Sequence, residues 1–108
     1  MKERRKHLRI VALHPVLYYS NAYPRPKVAS TLDISLGGAR IETRSPLMNR
    51  EELDISIAIH PNVIKCRGRV VYVIDSEDRR IRAGIQFEGL TQEDRSSLER
   101  FLFSLTDL

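Results

Sequence analysis

The sequence predicts an all-β protein: a six-stranded antiparallel β-barrel followed by one C-terminal α-helix. Three observations carry this. Apolar and polar residues alternate with period two along most of the chain, the pattern of strands with one buried face. Turn residues separate these runs at hairpin-length intervals. The period becomes helical only near the end, where Leu98, Phe101, Leu102 and Leu105 fall at i, i+3, i+4 and i+7. Six short strands with short links close most simply into a barrel, which leaves no unpaired edge.

Residues 8–19 (LRIVALHPVLYY) read as the first strand, bent at Pro15, which has no N–H for a sheet ladder. Residues 21–26 (NAYPRP) read as a loop. Residues 27–34 (KVASTLDI) form a second strand, and Ser35-Leu36-Gly37-Gly38 a tight turn. Residues 39–43 (ARIET) leave that turn as a third strand, with Ala39 and Ile41 on one face and Arg40 and Glu42 on the other. Residues 53–60 (LDISIAIH) place Leu53, Ile55, Ile57 and Ile59 on one face of a fourth. Cys66, Gly68, Val70, Tyr72 and Ile74 alternate inward along a fifth, with Arg67 and Arg69 outward. After a polar turn at 75–80, Ile81, Ala83, Ile85 and Phe87 mark the sixth. Thr91, three residues before Asp94, is a helix-starting signal. The helix is expected to plug an open end or edge of the sheet.

At 108 residues the chain is one domain's length: an N-terminal arm at 1–9, a barrel at 10–89 and a helix at 91–106. It is 42% hydrophobic and 30% charged, which excludes a disordered chain, a collagen-like chain and a coiled coil. No apolar run approaches the ~18 residues of a membrane span, and the opening MKERRK lacks the apolar stretch of a secretory signal. A cytoplasmic chain without membrane insertion is expected. The single cysteine, Cys66, makes neither an internal disulfide nor a cysteine metal cage, and His7, His14 and His60 lack metal-ligand spacing. No metal and no cofactor are expected. G-x-S-x-G, the phosphate loop and H-E-x-x-H are all missing, so the chain does not read as an enzyme.

Charge is placed unevenly. Residues 1–9 hold Lys2, Arg4, Arg5, Lys6 and Arg9 against Glu3, a net +4 that equals the whole chain's excess. Arginine outnumbers lysine 14 to 4. Guanidinium binds phosphate and base edges with two prongs and stacks on rings; an ammonium does neither.

Two short motifs occur together. One is Arg4-Arg5-Lys6-His7-Leu8-Arg9, or R-R-x-x-x-R. The other is Asp33-Ile34-Ser35-Leu36-Gly37-Gly38, or D-x-S-x-x-G. Taken singly, the first is a basic tail and the second is ordinary turn chemistry. Jointly, arginines just before the first strand and an acidic turn at a hairpin roughly 24 residues later resemble the PilZ family of bacterial β-barrel domains. A-G-I-Q-F at 83–87 and the threonine-started helix extend the resemblance over nearly the whole chain. Arg5, Arg9, Asp33, Ser35 and Gly38 all stand at motif positions.

The resemblance implies a receptor for the second messenger cyclic di-GMP, with Arg4, Arg5, Arg9, Asp33, Ser35, Gly37 and Gly38 as ligand-binding residues. The residue chemistry suits that ligand. Arginine's fork matches guanine O6 and N7, and it also pairs with phosphate. A carboxylate at Asp33 accepts from the guanine N1–H and N2–H₂ edge. Ser35 donates to phosphate or accepts from the base amine. Gly38, without a Cβ, admits either a close ligand or a positive φ. Arg4 is a third guanidinium, enough to stack on a second nucleotide, so two molecules per chain are expected.

An arm with almost no apolar residue cannot pack alone, so its ordering on the ligand is the expected signal to a downstream protein partner. No residue identifies that partner. Two other classes stay open. One is a small β-barrel that binds nucleic acid, disfavoured because the chain beyond the arm is neutral and few aromatics (Tyr18, Tyr19, Tyr23) are available for stacking. The other is a PilZ-like adaptor that no longer binds nucleotide.

Overall fold

The computed structural model describes residues 10–11, 13–20, 23–76 and 78–106. Its strands are β1 (Ile10–Val11), β2 (Pro15–Ser20), β3 (Tyr23–Ile34), β4 (Gly38–Thr43), β5 (Glu52–Ala58), β6 (Val63–Asp75) and β7 (Ile81–Glu88). The helix α1 spans Gln92–Thr106. Every pairing is antiparallel, in the order β3-β2-β5-β6-β7-β4, and β4 returns to β3 to close a six-stranded barrel. The short β1 continues the line of β2 along the far half of β3.

The apolar face of each strand supplies one continuous core. Val16, Tyr18, Ile34, Ile41, Leu53, Ile55, Ile57, Ile59, Ile64, Val70, Ala83 and Ile85 are buried in it. The alternation of β5 survives intact, with Leu53, Ile55 and Ile57 inside, and Ile59 just past its end is buried too. The one large hydroxyl in this core is satisfied. Thr43 Oγ1 donates to the Val28 carbonyl (3.1 Å) and lies 3.0 Å from the Tyr18 hydroxyl.

The structure corrects the sequence reading in four places. The first strand is two pieces, since β1 stops at Val11 and β2 opens on Pro15. At the break, His14 donates its N–H to Thr31 Oγ1 (2.8 Å) and accepts from the Thr31 N–H (2.9 Å). Proline at the head of a strand sacrifices no ladder bond. The expected 21–26 loop is instead largely strand, because β3 begins at Tyr23. Its two prolines are tolerated since both precede Ala29, where the described pairing of β3 with β4 begins.

The third correction matters for the site. A β-bulge between Val70 and Tyr72 shifts the β6–β7 register by one residue. One extra residue turns every following side chain to the other face. Tyr72 and Ile74, expected inside, are 36% and 54% exposed, and Val73 packs against the core in their place. Fourth, α1 buries Leu98 and Leu102, but Leu105 is exposed one turn later.

The helix starts as expected. Asp94 N–H donates to Thr91 Oγ1 at 3.0 Å, while the Asp94 carboxylate accepts from the Lys65 N–H at 3.3 Å. Phe101 meets the His14 ring edge-on, centroids 4.9 Å apart. The helix thus caps the barrel end that also carries the β3–β4 turn. No described helix is long and apolar enough to cross a membrane. Among the described residues no cluster of metal-ligating side chains forms.

Cys66 lies half-buried on β6, and burial, with Asp94 nearby, pushes its thiol up to about 12. The thiolate is the nucleophile. Alkylation of the native chain at pH 8 is therefore expected to be far slower than that of the unfolded chain. Equal rates in native and denaturing buffer would contradict this placement.

Candidate functional site

The D-x-S-x-x-G segment spans the end of β3, the turn and the first residue of β4. Its hairpin register pairs Ile34 with Ala39 and Asp33 with Arg40. Opposite charges facing each other across a strand pair attract. The Arg40 Nε lies 2.5 Å from Asp33 Oδ2. The Asp33 side chain is only 4% exposed while that of Arg40 is 44% exposed. Asp33 is therefore a nearly covered carboxylate at a strand end, not the exposed turn residue its sequence context suggests. The bond to Asp33 raises the Arg40 guanidinium above its ordinary value; burial opposes this, and the Asp33 charge and the neighbouring Tyr72 add to it.

Ser35 is spent on the turn. Its N–H donates to the Gly38 carbonyl at 2.8 Å, and its hydroxyl, 3.3 Å away, donates to the same oxygen. The Gly37 N–H in turn donates to Ser35 Oγ at 3.2 Å. The Ser35 residue is 3% exposed. Such local side-chain bonding is what makes serine a turn residue.

The glycines serve strand packing. Neither Gly37 nor Gly38 is left-handed; only Gly89 among the described glycines has a positive φ, 70°. A Cβ on Gly38 would lie 2.1 Å from the Ile85 carbonyl oxygen. The Gly37 carbonyl accepts from the Phe87 N–H at 2.9 Å. The turn is thus seated directly on β7.

Leu36, at the tip, faces Glu99, Leu102 and Phe103 of α1 across a small apolar cavity of about 150 Å³. A separate polar cleft of about 540 Å³ lies along β3 and β4, lined by Ser30, Glu42, Arg44 and Arg80 among others, and none of the described motif residues lines it.

Arg4, Arg5 and Arg9, the other half of the expected site, lie outside the described residues. The described chain begins beside the motif: β1 pairs Ile10 with Ile34 and Val11 with Asp33. Ile10, which follows Arg9, thus pairs with Ile34, which precedes Ser35.

Sequence reading missed two residues here. Tyr72 (β6), Gly84 (β7), Arg40 (β4) and Asp33 (β3) are successive cross-strand partners, a row across four strands. The Tyr72 ring occupies the space that a side chain on Gly84 would need; a Cβ there would sit 2.2 Å from Tyr72 Cε2. Arg40 could have been found from the hairpin arithmetic, since Ile34 opposite Ala39 places Asp33 opposite Arg40. Nothing local marks Tyr72, because its orientation depends on the bulge.

Elsewhere the outer face is neutralised. Arg67 and Arg69 lie 3.3–3.9 Å from Glu52, Asp54 and Glu88, and Arg80 and Arg82 lie 3.1–3.4 Å from Glu42. Such pairs add little stability. They do set these four arginines against carboxylates of neighbouring strands.

A closed six-stranded barrel with a helix over one end, and an acidic hairpin turn beside the entry of its first strand, defines a small barrel domain whose motif lies at a hairpin turn. The chain matches the PilZ domain model over residues 3–104 and belongs to that family. No curated protein matches the sequence. Among solved structures it is similar to the Bacillus subtilis inhibitor of motility MotI/DgrA, at 15% identity and TM-score 0.81 over 98% of this chain and 53% of that one. It is similar to the PilZ domain with c-di-GMP of YcgR from Escherichia coli, at 17% identity and TM-score 0.78, covering 96% and 92%. The K. pneumonia MrkH–c-di-GMP complex is a third, at 20% identity and TM-score 0.81, covering 97% and 53%. The chain spans about half the length of the first of these and nearly all of the isolated YcgR domain.

Proposed function

We propose that this chain is a cyclic di-GMP receptor that acts by binding and not by catalysis. Arg4, Arg5 and Arg9 supply charge and stacking, and Asp33, Ser35, Gly37 and Gly38 form the other wall. The observation that carries this reading is the β1 register, which starts the described chain at Ile10 opposite Ile34, between Asp33 and Ser35. Covalent continuity therefore ties the arginine segment to the acidic turn. The names of two similar structures, those of YcgR and MrkH, include c-di-GMP, which supports the same ligand here. The small cavity that Leu36 shares with α1 offers a route from the site to a downstream protein, with ordering of the arm as the signal.

One observation favours the adaptor reading instead: Asp33 and Ser35 are already engaged by Arg40 and by the turn. Titration calorimetry separates the readings. Cyclic di-GMP is expected to bind, with cyclic di-AMP, GTP and a short oligonucleotide much weaker. Heat from the oligonucleotide alone would assign a nucleic-acid module, and no heat from any of the four would assign the adaptor.

Stoichiometry tests the arm separately. Two stacked nucleotides carry four phosphate charges, and Arg4 is the additional guanidinium that offsets their repulsion. Two nucleotides per wild-type chain are expected, falling toward one in Arg4→Leu with the first site retained. A ratio of one for the wild type, well above the dissociation constant, would contradict this role.

A further inference from the structure

We propose that Arg40, which neither motif contains, is a base-reading residue of the nucleotide site, its outward Nη edge donating to the O6/N7 edge of a guanine. The inference rests on the cyclic di-GMP reading and adds a residue and a selectivity to it.

Three features fix Arg40 for this task. Its Nε is taken by Asp33 Oδ2 at 2.5 Å, which leaves the two Nη groups. Its side chain is 44% exposed where Asp33 is 4% exposed, so a base approaching this wall from solvent meets Arg40 first. Tyr72 stands in the same row, its ring over Gly84, the cross-strand partner of Arg40. A donor fork anchored by a nearly covered carboxylate loses little freedom on binding.

The rest of the row supports the placement. Tyr72 faces outward only because of the bulge at Val70/Tyr72, and its ring fits only because residue 84 is glycine. Bulges commonly re-aim side chains next to functional sites. Arg67, Arg69, Arg80 and Arg82 are paired with carboxylates of the outer strand faces, whereas the partner of Arg40 lies inside the D-x-S-x-x-G motif.

The chemistry selects guanine. A guanidinium edge gives two parallel bonds to O6 and N7, while adenine offers a donor amine where guanine has O6. Lysine would keep the charge beside Asp33 and lose the fork. A role in charge alone and a role in base reading therefore separate in one substitution.

The experiment is calorimetric titration of the full chain with cyclic di-GMP and cyclic di-AMP, for wild type, Arg40→Lys and Arg40→Ala, with thermal unfolding of each. Both variants are expected to weaken cyclic di-GMP by roughly ten- to hundredfold. Cyclic di-AMP binding should change by less than about threefold, so that selectivity narrows. Arg40→Lys is the deciding variant should Arg40→Ala fail to fold. Cyclic di-GMP affinity within about twofold of wild type in Arg40→Lys would overturn base reading by Arg40 and leave the receptor reading standing. Equal weakening of both nucleotides would likewise overturn it, reducing Arg40 to a general cation. A wild type that binds no cyclic di-GMP would overturn both.

Discussion

Replacing Gly38 by alanine is expected to lower the melting temperature by roughly 10–20 °C, a loss of about 3 kcal/mol for a domain of this size. The added Cβ would stand 2.1 Å from the Ile85 carbonyl oxygen and 3.1 Å from its carbon. Both are backbone atoms of a central strand, and β7 is hydrogen-bonded on its two edges to β6 and β4. It has no rotamer to change, so the β4–β7 ladder itself must open. Gly84 is the internal comparison. There the obstructing atoms belong to the Tyr72 ring, a side chain that can swing outward. Gly84→Ala should cost markedly less stability. A melting temperature for Gly38→Ala within a few degrees of wild type would show that β4 is not held against β7 as described. The result also bears on function: lost nucleotide binding in a Gly38 variant would report the wall's collapse before any ligand contact.

How much of this was legible in the sequence follows from where the period is unbroken. The run from Leu53 to Ile59 could be read directly, because one face is fully apolar and nothing interrupts it. In β6, Val70-Val71-Tyr72-Val73 holds apolar residues at both parities, so composition could not show that the chain gains a residue there. The reading kept Tyr72 and Ile74 inside when the bulge had turned them out. Prolines misled in the opposite direction: the 21–26 segment has a loop's composition but lies largely within a strand, ahead of the stretch that pairs with β4.

The site divides the same way. The turn was visible because Asp33, Ser35 and the two glycines are local signals. Their division of labour was not, since it depends on contacts across strands. Ser35 closes its own turn, Gly38 admits β7, and Asp33 faces Arg40. All three specified residues of D-x-S-x-x-G thus have a structural task within the chain, so in the proposed receptor much of the nucleotide surface is expected to come from residues around the motif.

That makes the arm decisive, and Arg5→Ala and Arg9→Ala are each expected to weaken cyclic di-GMP by roughly ten- to hundredfold, the loss of one charge-assisted contact of about 1.5–3 kcal/mol. Thermal unfolding gives an independent readout. At a nucleotide concentration of a hundred times the wild-type dissociation constant, a single bound ligand adds about 2.7 kcal/mol of stability. A variant ten- to hundredfold weaker gains only about 0.4–1.4 kcal/mol at that concentration. The shift on adding nucleotide should therefore shrink by half or more, against each variant's own ligand-free melting temperature. Lysine at the same positions should recover only part of the loss, because an ammonium supplies charge without the planar fork. Full recovery with lysine would reduce the arm to an electrostatic anchor, and wild-type affinity in both alanine variants would remove the arginines from the site altogether. The D-x-S-x-x-G turn, already engaged by its own chain, would then lack the second wall that the proposed site requires.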